Sequence, residues 1–252
     1  MNTFKKLSMM AVIAAAMPLV ATLQSCDNDD NNGTIGSITA NALVTVKTAS
    51  DNSTYFQLDD KTTLRPVNVT KQLFDGKEVR ALAHLTDSKE SAGNYDKAVN
   101  VTWIDSIRTK ATNVALPTAE ENDKAFGNDP FEIMKDWVTI VEDGYITLRI
   151  RTLWGIGAKH YMYLLTGVNK DNPYEVEIRQ DSKGDTGKRV GDSLIAFNLE
   201  ALPDTQGKTV KLKIRWRSFS GDKSVEFDYC TRKTTKTSAL LLDGTPFISD
   251  VK

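Results

Sequence analysis

Cysteine and histidine are nearly missing from this chain of 252 residues, which holds two of each. The cysteines are Cys26 and Cys230, far too few for the disulfide framework of a small secreted domain. The histidines are His84, inside Ala81-Leu82-Ala83-His84-Leu85, and His160, heading His160-Tyr161-Met162-Tyr163. A zinc site or a Ser-His-Asp triad needs histidine beside partners that no spacing here supplies, so both read as structural or surface residues. No metal or cofactor is expected. An excess of positive charge is also lacking, with 32 basic side chains against 33 acidic ones, and nothing points to nucleic acid.

Several partial motifs lack the residue that would complete them. Asn28, Asp30, Asn32 and Gly33 mimic half a calcium loop, but the closing position needs a bidentate Glu and holds Thr39. Gly155-Ile156-Gly157 has no third glycine for a dinucleotide fingerprint. Gly184-Asp185-Thr186-Gly187-Lys188-Arg189 has neither the spacing nor the hydroxyl residue of a P-loop. Both glycine pairs read as turns.

One long apolar run does exist, from Leu7 to Leu23 behind Lys5 and Lys6. Interrupted by Ser8, Pro18 and Thr22, it is short for a membrane span, which needs ~20 predominantly apolar residues. A basic start followed by an apolar stretch is a secretory leader. It ends in Leu23-Gln24-Ser25-Cys26, which resembles the lipobox of bacterial lipoproteins, with Gln24 a departure from the usual pattern. That resemblance implies cleavage before Cys26 and acylation of its thiol. Acyl chains contribute ~0.8 kcal/mol per buried CH₂, enough in combination to hold a protein on a membrane. Removal of Lys5 and Lys6 from the 32 basic side chains leaves 30 against 33 acidic ones, a slightly acidic mature protein with Cys230 as its sole free thiol. Asp27, Asp29 and Asp30, interleaved with asparagine, follow at once. This polar run reads as a solvated tether and resembles the acidic export signal of Bacteroidetes lipoproteins, which implies the outer membrane and display at the cell surface.

Beyond the tether, period-two alternation dominates, the mark of half-buried strands. Val210, Leu212, Ile214 and Trp216 alternate with Lys211, Lys213, Arg215 and Arg217; Ile146, Leu148 and Ile150 with Thr147, Arg149 and Arg151; Val176 and Ile178 with Glu175, Glu177 and Arg179. Alternation through Val225, Phe227 and Tyr229 makes Cys230 a strand residue. Asp59-Asp60-Lys61, Asp75-Gly76, Glu142-Asp143-Gly144 and Ser220-Gly221-Asp222 supply turns. The fold class is all-β, sandwich or barrel. Alternation stops between Lys110 and Pro130, where Thr118-Ala119-Glu120-Glu121 matches a capping box and marks one short helix. The expected organisation is a leader at 1–25, the tether at 26–34, a β domain at 35–112, a linker at 113–129 and a second β domain at 130–252. The apolar tail that holds Leu240-Leu241-Leu242 is expected to pack back onto a domain.

In this order the motifs resemble the NigD-like lipoproteins of Bacteroidetes. The carrying residues are the lipobox with its acidic follower, Tyr55-Phe56-Gln57-Leu58-Asp59-Asp60-Lys61-Thr62-Thr63-Leu64-Arg65-Pro66, Val79-Arg80-Ala81, the run ending Val101-Thr102-Trp103-Ile104-Asp105-Ser106-Ile107, and Leu164-Leu165-Thr166-Gly167. The resemblance implies an N-terminal OB-like small barrel followed by a C-terminal β-sandwich, with no catalytic residues to carry over. Roughly five short strands in the first block and roughly seven in the second suit those two folds.

Candidate sites are few. Trp154, Tyr161 and Tyr163, aromatics near a glycine-rich loop, are candidates to stack on a sugar or a partner protein, with core packing as the competing reading. The stripe Lys211, Lys213, Arg215 and Arg217 suits an anionic glycan, but Glu175, Glu177, Glu226 and Asp228 could face it in ordinary cross-strand pairs. Ser106 and Ser193, in Asp-Ser-apolar triplets, fit a Bacteroidetes O-glycosylation pattern. The expected role is that of a membrane-anchored, non-enzymatic module for an unknown protein or glycan ligand. A bacteriocin-immunity lipoprotein is the alternative, and a glycan-processing enzyme the third reading.

Overall fold

The computed structural model describes residues 39–232 except Ile156 and Thr186. Cys26, Asp27, Asp29, Asp30 and the apolar tail lie outside the described residues. Among the described residues no helix is long and apolar enough to cross a membrane.

The first β block closes into a barrel. Strands β1 (Ala42–Thr48), β2 (Thr54–Gln57), β3 (Thr63–Pro66), β4 (Val79–Asp87) and β5 (Lys97–Ser106) pair in the order β1-β2-β3-β5-β4. Only β3 and β5 run parallel. Asp59 fixes the β2–β3 turn, its Oδ1 accepting the backbone N–H groups of Lys61 and Thr62 at 2.8 Å each. The inward residues Ala42, Val44, Val46, Phe56, Leu64, Ala81 and Val99 fill the barrel. Burying a side chain such as Phe56 or Leu64 contributes ~1.5–3 kcal/mol.

The second block is a two-layer sandwich. One sheet has the order β6-β13-β10-β8, built from β6 (Thr109–Lys110), β8 (Glu132–Met134), β10 (Tyr145–Trp154) and β13 (Arg189–Asn198), with β9 (Ile140–Glu142) also on β10. The facing sheet runs β15-β14-β12-β11-β7, from β7 (Asn113–Val114), β11 (Tyr161–Thr166), β12 (Glu175–Asp181), β14 (Val210–Ser218) and β15 (Gly221–Tyr229). Phe131, Ile146, Leu148, Leu164, Ile178, Phe197, Leu212 and Ile214 meet between them. Cys230 falls just past the end of β15, where β14 has no residue left to pair.

The stretch expected as a linker carries structure of its own. β7 pairs with β11, and helix α1 (Ala119–Phe126) lies against β11 and β12. Thr118 and Glu121 form the capping box, each satisfying the other's backbone N–H. Gly127 ends the helix at φ 73°, and a Cβ there would come within 2.5 Å of the Gln180 carbonyl oxygen. Asp129 then accepts hydrogen bonds from the Ser182 N–H and hydroxyl at 2.8 and 2.6 Å, which stitches the segment onto the sandwich.

Barrel and sandwich share an apolar contact in which Leu43, Leu82 and Ile107 pack on Val138 and Ala196. Within it the Arg80 guanidinium is wholly buried. It donates to Thr45 Oγ1 at 3.0 Å, Thr147 Oγ1 at 3.3 Å and Glu142 Oε1 at 2.7 Å. Burial pushes the Glu142 carboxyl above its usual range, and Arg80 offsets part of that rise. Lys47 reaches Asp143 at 2.9 Å, and Glu78 accepts from both Tyr145 and Arg232 at 2.6 and 2.5 Å.

Candidate functional site

The outer face of the sheet β15-β14-β12-β11-β7 concentrates the chain's charged and aromatic candidates. Inward residues of these strands are committed to the core, so alternation turns Lys211, Lys213, Arg215 and Arg217 of β14 outward. On one side β15 sets Asp228, Glu226, Ser224 and Asp222 opposite them in that order. On the other side β12 runs parallel and places Glu175 beside Lys213 and Glu177 beside Arg215. The acidic neighbours expected for the stripe are therefore in place. Lys211 meets Asp228 at 2.6 Å, Lys213 meets Glu175 at 3.3 Å, and Arg215 meets Glu175 and Glu177 at 3.1 and 2.9 Å. Lys211–Asp228 is an exposed pair, of a kind worth ~0–1 kcal/mol, whereas the pairs on Glu175 keep a buried carboxylate matched by cations.

Between these strands lies an open groove of about 370 Å³. Lys213, Arg215, Arg217 and Arg179 line it with Glu177 and Asp222, and Asn128 and Ser224 add neutral polar groups. Helix α1 forms a flank, since Asp123 and the Gly127 carbonyl accept hydrogen bonds from Arg179 at 2.6 and 3.0 Å. Lys223 also lines the groove but extends to Glu132 at 3.0 Å. Burial would raise the Glu175 carboxyl. Hydrogen bonds from Asn169 and Lys213 and the Arg215 charge outweigh it and hold the group below the usual range, hence ionised at neutral pH. Arg217 differs from its neighbours: among the described residues its guanidinium enters no ion pair or hydrogen bond.

The aromatic candidates divide. Tyr161 and Tyr163 stand opposite Asp181 and Arg179 across the β11–β12 ladder, on the same outer face as the groove. Tyr163 is half-buried, its ring tilted 58° against Phe126 at 5.2 Å with Lys110 Nζ 4.3 Å from the ring centre. Tyr161 is open to solvent, with Lys183 Nζ at 5.4 Å. Trp154 belongs to the other sheet and stacks on His160, ring centres 4.2 Å apart.

That histidine is fully engaged. The Gln180 amide nitrogen can only donate, so His160 Nδ1 accepts from it at 3.1 Å. The proton then sits on Nε2 and is donated to Asp185 at 3.2 Å. Asp185 also accepts the N–H groups of Gly155 and Gly187 at 2.9 Å each. The two glycine turns thus close on each other, and a Cβ on Gly187 would fall 2.0 Å from Gly155 Cα. His84 Nδ1 bonds the Thr39 carbonyl at 2.8 Å. Among the described residues no cluster of His, Cys, Asp or Glu could hold a metal ion.

Ser106 is exposed at the end of β5, whereas Ser193 is half-buried opposite the core residue Ile150. Sequence reasoning found the stripe but missed Asn128, Asp222 and the helical wall of the groove. Asn128 stands two residues before Pro130, in the stretch without alternation, where nothing in the sequence marks it as part of a surface.

Two family models match the chain, the NigD-like N-terminal OB domain over residues 43–107 and the NigD-like C-terminal beta sandwich domain over residues 114–229. No curated protein matches it. Among solved structures it is similar to a Parabacteroides distasonis protein described as toxin-related, at 29% identity and TM-score 0.65, covering 75% of this chain and 92% of that one. A Bacteroides vulgatus protein of unknown function shares 19% identity at TM-score 0.59, covering 75% and 89%. A NigD-like immunity protein from Bacteroides caccae shares 16% identity at TM-score 0.53, covering 77% and 98%. The last two likenesses are those of fold.

Proposed function

From the premise that this chain belongs to the NigD-like family, we propose that it is a lipid-anchored, non-catalytic binding module of the outer membrane and cell surface. Its recognition surface is the outer face of the second sandwich sheet. The observation that carries this reading is the charged groove of about 370 Å³ on a sheet whose other face is a packed core. Its volume lies in the range of small-ligand sites, ~300–1,000 Å³. Ion pairs hold Arg179, Lys213 and Arg215 in position, as suits a preorganised recognition surface. The engaged ring nitrogens of His160 and the ionised Glu175 suit binding better than proton transfer. Anchoring through Cys26 and display through Asp27, Asp29 and Asp30 rest on the sequence.

A second reading is favoured by the Bacteroides caccae neighbour, which is described as an immunity protein. In it the same face captures a secreted antibacterial protein and shields the producing cell. One experiment separates the readings. Full-length chain, cross-linked to its neighbours on native cells, is recovered alongside a variant carrying Lys213→Glu and Arg215→Glu. Glycan lost in the variant supports the first reading, and a secreted protein lost in the variant supports the second. Equal recovery of every neighbour by both chains removes this face from either.

A further inference from the structure

Four side chains lining the groove stand out because they are unengaged. The side chains of Arg217, Asp222, Asn128 and Ser224 make no hydrogen bond or ion pair among the described residues. Every other outward cation of the groove is tied, Arg179 to Asp123 and Glu177, Lys213 to Glu175, and Arg215 to Glu175 and Glu177. Arg217 and Asp222 are direct cross-strand partners, yet no ion pair joins them.

We infer that this end of the groove is a subsite for an acidic sugar, with Arg217 holding the carboxylate of a uronic-acid residue in a glycan chain. A guanidinium presents parallel donors that match a carboxylate in bidentate fashion. Asp222, unpaired opposite Arg217, then decides the rest of the ligand. Its carboxylate sets a negative charge beside Arg217, which disfavours a densely anionic polymer such as a nucleic acid or an acidic peptide run, and it accepts hydrogen bonds from hydroxyls readily. A ligand with one anionic group surrounded by hydroxyls satisfies both. The Asn128 amide and the Ser224 hydroxyl add donors and acceptors of the kind that orient ring hydroxyls. The groove is open, so a chain can continue past the bound residue along the outer face, where Tyr161 stands exposed.

This inference rests on the binding-module reading and narrows it to one ligand class. Full-length protein in detergent is titrated calorimetrically with oligosaccharides of galacturonate, glucuronate and mannuronate, a neutral oligosaccharide of equal length, and poly-glutamate. At least one uronate oligosaccharide is expected to bind, more weakly as salt rises. Arg217→Ala should weaken it by roughly 10- to 100-fold, the loss that goes with one charge-assisted pair. Arg217→Lys should lose less, and Asp222→Asn should tighten binding by relieving repulsion. The Arg217 side chain is exposed and makes no hydrogen bond or ion pair among the described residues, so an unchanged melting temperature is expected with each result. Wild-type affinity in Arg217→Ala, equal affinity for the neutral oligosaccharide, preference for poly-glutamate, or no binding of any uronate overturns the inference. If capture on cells still depends on Lys213 and Arg215 after such a result, the broader reading stands and only this one falls.

Discussion

Replacing Arg80 with Met tests what joins barrel to sandwich. The guanidinium is fully buried and bonds Thr45, Thr147 and Glu142, which come from both domains. Methionine keeps much of the volume and removes the charge, so Glu142 is left largely buried without its cation. Breaking a buried pair by removing one partner costs about 3–5 kcal/mol. For a chain of this size that is about 6–20 °C in melting temperature. The pH dependence carries the mechanism. Burial already raises the Glu142 carboxyl in the wild type, with Arg80 opposing, and the variant loses the opposition. A carboxyl raised on folding favours the native state while protonated, and that advantage is lost as pH rises through the folded value. The variant's deficit should therefore be largest near about pH 7 and shrink towards about pH 4, where Glu142 is neutral in both proteins. Urea unfolding followed by tryptophan fluorescence measures both quantities. A deficit under about 1 kcal/mol, or one that does not change with pH, would refute the account.

Other expectations follow from single features. Thr118→Ala removes the capping box and should lower stability by about 1 kcal/mol, read as a shifted urea midpoint at constant slope. Cys26→Ala should abolish incorporation of a palmitate analogue and release the protein from membranes; persistent labelling would refute the lipobox. Replacing Asp27, Asp29 and Asp30 with Ala should leave the protein lipidated but sheltered from protease added to whole cells. Equal cleavage of variant and wild type would deny the acidic run any role in export.

Strands with alternating apolar and polar residues were legible from sequence because their alternation is physical. Val210 to Trp216 and Ile146 to Ile150 point every second residue into one core and the others to neighbours outside it. The second role of β1 and β4 was not legible. Their inward sides fill the barrel, but Leu43, Leu82 and Arg80 face the sandwich, and no local pattern tells a buried outer face from an exposed one. β6 and β7, two residues each, are too short to show any period. At the candidate site the residue types were visible and the adjacency was not. β12 and β14 are parallel neighbours only because β13 crosses to the other sheet, so the pairing of Glu177 with Arg215 is a fact of topology. Arg217 reads as one more member of a stripe until its neighbours are seen to be occupied.

The passage from barrel to sandwich has no slack, and this bears on how the molecule carries load. Ile107 N–H is bonded to the Arg80 carbonyl in the barrel at 2.7 Å, and the very next carbonyl, that of Arg108, accepts from Ala196 in the sandwich at 2.9 Å. β6 then pairs with one sheet and β7 with the other, both in parallel. Tension applied between sandwich and barrel along the chain would be carried by these parallel ladders, loaded along their length. Such ladders share tension over several bonds at once instead of opening one by one. Barrel and sandwich would then respond to such a load together.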